Sequence, residues 1–303
     1  MTLINGKQQT LIDVADRGLS YGDGLFETIA YVDGALHNWY LHWQRLKFGA
    51  QRLVIELPDE LHILSQIDTE LSSLSEPELL QNKQNMNRVI KVIVTRGQGG
   101  RGYLFPQPQN CTVIISAHPW PQRAMQDYTQ GVHAMVCQTC LAIQPALAGI
   151  KHLNRLEQIL GRNEFHHSDY QEGIMLACSD DCSENPSRQD PLMVEGTSSN
   201  LFFVYKGKLC TPKIHTCGVL GTIREAILLL APQIGIAAQQ GNYPLQQLRE
   251  ATEVFFTNSV YGILPIATIT VHDDLQWRYT ERKITTQLAA TINKALKRPD
   301  RFN

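Results

Sequence analysis

Four short stretches of the 303-residue chain carry side chains whose chemistries complement one another. Lys151, in Gly149-Ile150-Lys151-His152-Leu153-Asn154-Arg155, follows an apolar stretch and precedes an amphipathic one. A lysine there loses hydration, which lowers its pKa and frees the amine as nucleophile or base. Glu195, in Met193-Val194-Glu195-Gly196-Thr197-Ser198-Ser199-Asn200, ends an apolar run ahead of small hydroxyl residues, where a carboxylate can hold a heterocyclic N–H+. Gly218-Val219-Leu220-Gly221-Thr222-Ile223-Arg224 places glycines at a helix start, where backbone N–H groups and the helix dipole suit a phosphate. Arg45, in His42-Trp43-Gln44-Arg45-Leu46, can clamp a phosphate bidentately, which lysine cannot. Singly, each has an ordinary alternative: a lysine reaching solvent, a loop acid, a plain N-cap turn, a surface arginine. Together they are what pyridoxal phosphate requires of a protein, with the cofactor supplying the electron sink.

These groups must be positioned by regular elements. Glu27–Val32 and Ala35–Trp39 flank Asp33-Gly34, a two-residue hairpin signal, because both central positions want positive φ. Tyr40–Val54 reads as a helix with Leu46, Ala50 and Leu53 on one face, and Leu61, Leu64, Leu71 and Leu74 give a second helix after Pro58. Arg88–Thr95 and Cys111–Ala117 read as strands. His118-Pro119-Trp120-Pro121 then breaks the pattern. The expected organisation is a small α+β domain at residues 1–118, a linker at 119–128 and a larger domain at 129–303 that carries Lys151. Beyond the linker, strands are expected at 132–143, 173–179, 200–205, 208–212 and 253–258, with a tight turn at Lys206-Gly207. Helices are expected at 154–167, 222–231 and 278–297, and Ser179–Pro191 reads as an exposed loop.

Composition excludes several classes. Hydrophobic content of 43%, charged content of 18% and a net charge of −2 describe an ordinary globular chain, with no basic block for nucleic acid or an anionic membrane. No apolar run is long enough for a membrane span, and MTLINGKQQT lacks the signature of a secretory signal. With seven cysteines, an odd number in mostly apolar contexts, a cytoplasmic, thiol-reduced protein is expected. Gly97-Gln98-Gly99-Gly100-Arg101-Gly102 satisfies G-x-G-x-x-G, but Tyr-Leu-Phe-Pro follows where a dinucleotide site needs a helix. It reads instead as a turn that can present Arg96 and Arg101 to an anion. Cys137 and Cys140 fall in the expected strand 132–143, where residues three apart point to opposite faces, so no metal site is expected.

The order Arg45, Lys151, Glu195, Gly221-Thr222-Ile223-Arg224 resembles the fold-type IV pyridoxal-phosphate enzymes. Within that group, Leu3-Ile4-Asn5-Gly6, Asp16-Arg17, Gly22-Asp23-Gly24, Arg96–Tyr103 and Ala148–Gln158 are similar to the aminodeoxychorismate lyases. The resemblance implies an α+β, two-domain fold, with a small N-terminal α/β sandwich and a larger β-barrel-like C-terminal domain with flanking helices. It implies Lys151 as the catalytic, Schiff-base lysine and Glu195 as partner of the pyridine nitrogen. Thr222 and Ile223 would offer backbone N–H groups to the phosphate, with Arg45 as its charged clamp and Ser259 as a hydroxyl partner. Arg96 and Arg101 are the candidates for the substrate carboxylates. The implied reaction is elimination of pyruvate from 4-amino-4-deoxychorismate to leave 4-aminobenzoate, by a cytoplasmic homodimer. The alternative is a branched-chain or D-amino-acid aminotransferase of the same fold.

Overall fold

The computed structural model describes residues 2–73, 87–178, 191–272 and 275–296. The expected loop Ser179–Pro191 up to its last residue, Leu74 of the expected second helix and residue 297 of the expected last helix therefore lie outside the described residues. Two compact units are present, one drawn from Met1–Pro121 and Ile150–Asn154, the other from Gln122–Gly149 and Arg155–Arg298.

The first unit contains, in order, β1 (Thr2–Ile4), β2 (Lys7–Gln8), α1 (Arg17–Tyr21), β3 (Gly24–Val32), β4 (Ala35–Leu36), α2 (Trp39–Leu53), α3 (Glu60–Ser72), β5 (Arg88–Thr95) and β6 (Thr112–Pro119). Its six strands form one sheet in the order β2-β1-β6-β5-β3-β4. The Asp33-Gly34 hairpin closes as its residue types require, with φ of 52° and 81°. On α2, Trp43, Leu46, Gly49 and Ala50 are buried; on α3, Ile63 and Ile67 are buried, after an N-cap in which the Asp59 carboxylate accepts from His62 N.

The second unit contains α4 (Met125–Thr129), β7 (Val132–Val136), α5 (Leu156–Asn163), β8 (Glu172–Leu176), β9 (Met193–Gly196), β10 (Asn200–Tyr205), β11 (Lys208–Pro212), α6 (Thr222–Leu230), β12 (Ala238–Gly241), β13 (Glu253–Asn258), β14 (Gly262–His272), β15 (Leu275–Arg278) and α7 (Lys283–Leu296). Its nine-stranded sheet follows the path β12-β11-β10-β13-β14-β7-β8-β9, with β15 paired to β14, and curls into a half-barrel. The core is built from Phe203, Phe256, Leu264, Ile266 and Ile269, all at most 1% exposed. Among the described residues, no helix is long and apolar enough to cross a membrane. The α+β fold with its barrel-like second sheet is the expected one.

Local expectations fail in physically instructive places. β14 is absent from the expected strands, and it carries a proline, Pro265. Pro265 sits where the strand changes neighbours: it faces Phe255 of β13, and pairing with β7 begins only at Ile266. The expected strand 132–143 stops at Val136, so Cys137 and Cys140 are not strand residues. Helix α7 starts at Lys283, because 275–278 are taken by β15. Part of the expected linker is the helix Met125–Thr129. The segment carrying Lys151 follows the second unit's strand β7 in sequence yet belongs to the first unit. Its backbone is bound there: Phe26 N donates to Lys151 O at 2.9 Å and Leu153 N to Gly24 O at 3.0 Å.

Candidate active site

In the first unit, the backbone pairing of Leu25 with His152 fixes residues 151–153 against β3. The Lys151 side chain is half-buried, and its Nζ lies 4.3 Å from the centroid of the Phe26 ring. The next strand residue, Glu27, is 2% exposed and points to the inward side of β3. Its carboxylate receives Arg45 Nε at 2.8 Å, Arg45 Nη2 at 2.5 Å and the His42 ring nitrogen Nδ1 at 2.6 Å. His42 and Arg45 stand three apart on α2, on one helical face. Burial alone would raise the Glu27 pKa, but the Arg45 charge and hydrogen bonds outweigh it, with His42 adding to them, and the carboxyl is held at about 2. Burial pushes the His42 pKa down; Glu27 opposes that shift, while the charges of Arg45 and Lys151 reinforce it.

In the second unit, Glu195 ends β9 at 4% exposure. Its Oε2 accepts from Val219 N at 2.8 Å and from Asn200 Nδ2 at 3.4 Å. The same carboxamide donates to Val219 O at 2.8 Å, so Asn200 ties the acid to the segment leading into α6. Two glycines make this possible. Gly218 has φ +84°, and a Cβ there would lie 2.7 Å from Val194 and 3.3 Å from Glu195 Oε2. A Cβ on Gly221 would lie 1.8 Å from Asn200 Oδ1. Gly221 caps α6 without a side-chain hydrogen bond, and buried Thr222 and Ile223 form the first turn. The leading N–H groups of an α-helix have no acceptor within the helix, and carry its positive dipole end. Ser259 follows β13, in a turn held by Asn258 Oδ1 accepting from Val260 N and Tyr261 N at 2.9 and 3.0 Å. A buried acid and a helix start without a side-chain cap thus lie on one continuous support. The residues present fit pyridoxal phosphate.

Arg96 requires a correction. It is 1% exposed, and its donors reach both Asp23 oxygens at 2.8 and 2.9 Å, the carbonyls of Leu53 and Val54 at 2.7 and 2.6 Å, and Gln109 Oε1 at 3.2 Å. The Phe105 ring covers it at 3.8 Å. Arg96 is therefore a C-terminal clamp on α2, where Val54 sits in the left-handed region at φ 56°. A guanidinium so committed has no donor left for a substrate carboxylate. Burial would raise the Asp23 pKa, but Arg96 and Arg17 pull it below the usual carboxylate range. Arg96→Ala should lower stability by on the order of 3 kcal/mol, because it strips a buried ion pair and a helix cap together; urea denaturation measures it. Arg101 is exposed on the same loop. Arg224 is held through its two terminal nitrogens by Pro212 O, Gln240 Oε1 and Glu225, while its buried Nε makes no hydrogen bond.

Sequence reasoning missed Glu27, His42 and Asn200. Glu27 did carry a signal: it shares strand parity with Leu25 and Ile29, both at most 1% exposed, and an acid at an inward position calls for a partner.

A family model described as amino-transferase class IV matches residues 24–269. The chain belongs to that family. Among characterised relatives, it is similar to the aminodeoxychorismate lyase of Vibrio harveyi, with 31% identity over 97% of this chain and 100% of the relative. It is also similar to the crystal structure of 4-amino-4-deoxychorismate lyase from Pseudomonas aeruginosa, at 36% identity and a TM-score of 0.80, covering 96% of this chain and 98% of that one. A putative branched-chain-amino-acid aminotransferase of Methanocaldococcus jannaschii is 29% identical over 87% of this chain and 85% of its own.

Proposed function

We propose that this chain is a pyridoxal-phosphate-dependent carbon–oxygen lyase that converts 4-amino-4-deoxychorismate to 4-aminobenzoate and pyruvate. The observation that carries the reading is the Glu195 carboxylate gripped by Val219 N, with the α6 amide cup following within a few residues. Full-length similarity to two lyases, at higher identity than to the transaminase relative, favours elimination over amino transfer.

When bound, the cofactor supplies the electron sink that stabilises negative charge on the amine-bearing carbon. Lys151 would hold the cofactor, and its free Nζ would take the proton from the amine-bearing carbon. Glu195 keeps a proton on the ring nitrogen. Thr222 and Ile223 N–H, the Ser259 hydroxyl and the Arg45 guanidinium hold the phosphate, and Glu27 fixes the direction in which Arg45 points. The enolpyruvyl oxygen leaves the neighbouring carbon, aromatisation drives its departure, and the Lys151 ammonium returns its proton to the departing enol to give pyruvate. Arg101 serves a substrate carboxylate. The working form is a cytoplasmic homodimer, for which exposed Leu11, Val14, Tyr103 and Leu104 of the first unit offer apolar contact.

The test is product analysis. The purified chain, given 4-amino-4-deoxychorismate and no 2-oxo acid, should release pyruvate and 4-aminobenzoate in equal amounts. A requirement for a 2-oxo acid would replace the lyase with a transaminase.

A further inference from the structure

Two independent observations meet at the start of α6. One is the helix end itself, which Gly221 enters in extended geometry (φ −67°, ψ 140°) with no side-chain cap. The other is Thr257 of β13, which is 1% exposed and whose Oγ1 makes no hydrogen bond. Thr257 is the direct cross-strand partner of Asn200 in the antiparallel β10–β13 pair, so the two side chains share a face of the sheet. Two residues along that face, Phe202 and Phe255 stack with centroids 5.2 Å apart and planes within 2°. The Asn200 carboxamide on this face closes on Gly221. The Thr257 hydroxyl accordingly stands on the face where α6 begins.

A buried hydroxyl without a partner costs the fold free energy that a ligand oxygen can recover. A phosphate ester dianion only accepts hydrogen bonds, and a threonine hydroxyl, with its side chain stiff at χ1, offers one rotatable donor in a fixed place. We infer that Thr257 Oγ1 donates a hydrogen bond to the cofactor phosphate, as a binding residue additional to positions 45, 222, 223 and 259. The inference rests on the pyridoxal-phosphate reading above and assigns a residue that the reading did not need.

The experiment compares the cofactor-free chain with Thr257→Val and Thr257→Ser. Pyridoxal phosphate and pyridoxal are titrated by absorbance, and inorganic phosphate by calorimetry. Valine keeps the shape and removes the donor; serine keeps the donor. Thr257→Val should bind pyridoxal phosphate and inorganic phosphate roughly tenfold more weakly, the scale of one hydrogen bond to a charged acceptor. Its affinity for pyridoxal should be unchanged, and Thr257→Ser should stay within about twofold of the unsubstituted chain. Without cofactor, Thr257→Val should melt no lower than the unsubstituted chain, because it removes an unsatisfied polar atom. A lower melting temperature would mark a structural hydroxyl and overturn the inference. Unchanged phosphate and pyridoxal-phosphate affinities, or an equal loss for pyridoxal, would overturn it too. Failure of the unsubstituted chain to bind pyridoxal phosphate would overturn the functional reading along with it.

Discussion

Lys151→Ala is expected to abolish pyruvate release, with a loss on the order of 10³-fold or more, since one amine serves as both attachment point and general base. Borohydride treatment should fix the cofactor to the unsubstituted chain at Lys151 and leave the variant unlabelled. The fold should survive. The segment is held by backbone bonds from Phe26 N to Lys151 O and from Leu153 N to Gly24 O, which the substitution leaves in place. Among the contacts the side chain gives up is that with the Phe26 ring, a cation–π interaction worth roughly 1 kcal/mol at a partly exposed site. A small exogenous amine should restore part of the turnover by supplying the missing base. Undiminished turnover in the variant would remove Lys151 from the mechanism.

The second large effect is expected at Glu27. Glu27→Ala leaves a fully buried histidine and a nearly buried arginine without the carboxylate they share, and should cost about 3–5 kcal/mol in urea denaturation. The pH dependence has a definite sign. The carboxyl is held at about 2 in the folded chain against 4.5 ordinarily, so its contribution is complete above about pH 4.5 and is lost as pH falls towards 2. His42 acts in the same direction at higher pH. Its folded pKa lies below the ordinary 6.5, so the unfolded chain takes up that proton first and acid favours unfolding. Glu27→Gln should therefore be less stable than the unsubstituted chain at pH 7, and the gap should close between about pH 4.5 and 2. A gap that stays constant across that window would mean that Glu27 is not ionised in the fold.

How much was legible beforehand depended on whether a residue's role was local. The Asp33-Gly34 turn, helix α2 and the α6 entry were readable because positive φ, an apolar helical face and glycines before a helix act over a few residues. The reading of Arg96 failed for the opposite reason. Its partners are Asp23, Leu53, Val54 and Gln109, up to 73 positions away, and nothing near it in sequence announces them. β14 is absent from the expected strands, and whether its Pro265 is tolerated depends on which neighbours flank that position in the sheet. Glu27 was visible only as an inward acid, and its two partners, His42 and Arg45, come from another element.

The sequence by itself determined the chemical inventory: one amine in an apolar approach, one acid ahead of small hydroxyl residues, and glycines where a helix must open towards an anion. Those are properties of side-chain type and short spacing, and they are written in the order of residues. Only the tertiary structure decided which charges were already spent. It commits Arg96 to a helix end and Arg45 to Glu27, ties Glu195 to Val219 through Asn200, and leaves the Thr257 hydroxyl buried without a partner. The physical reason is that a hydrogen bond is shared by two groups, and folding, not sequence proximity, selects the second one.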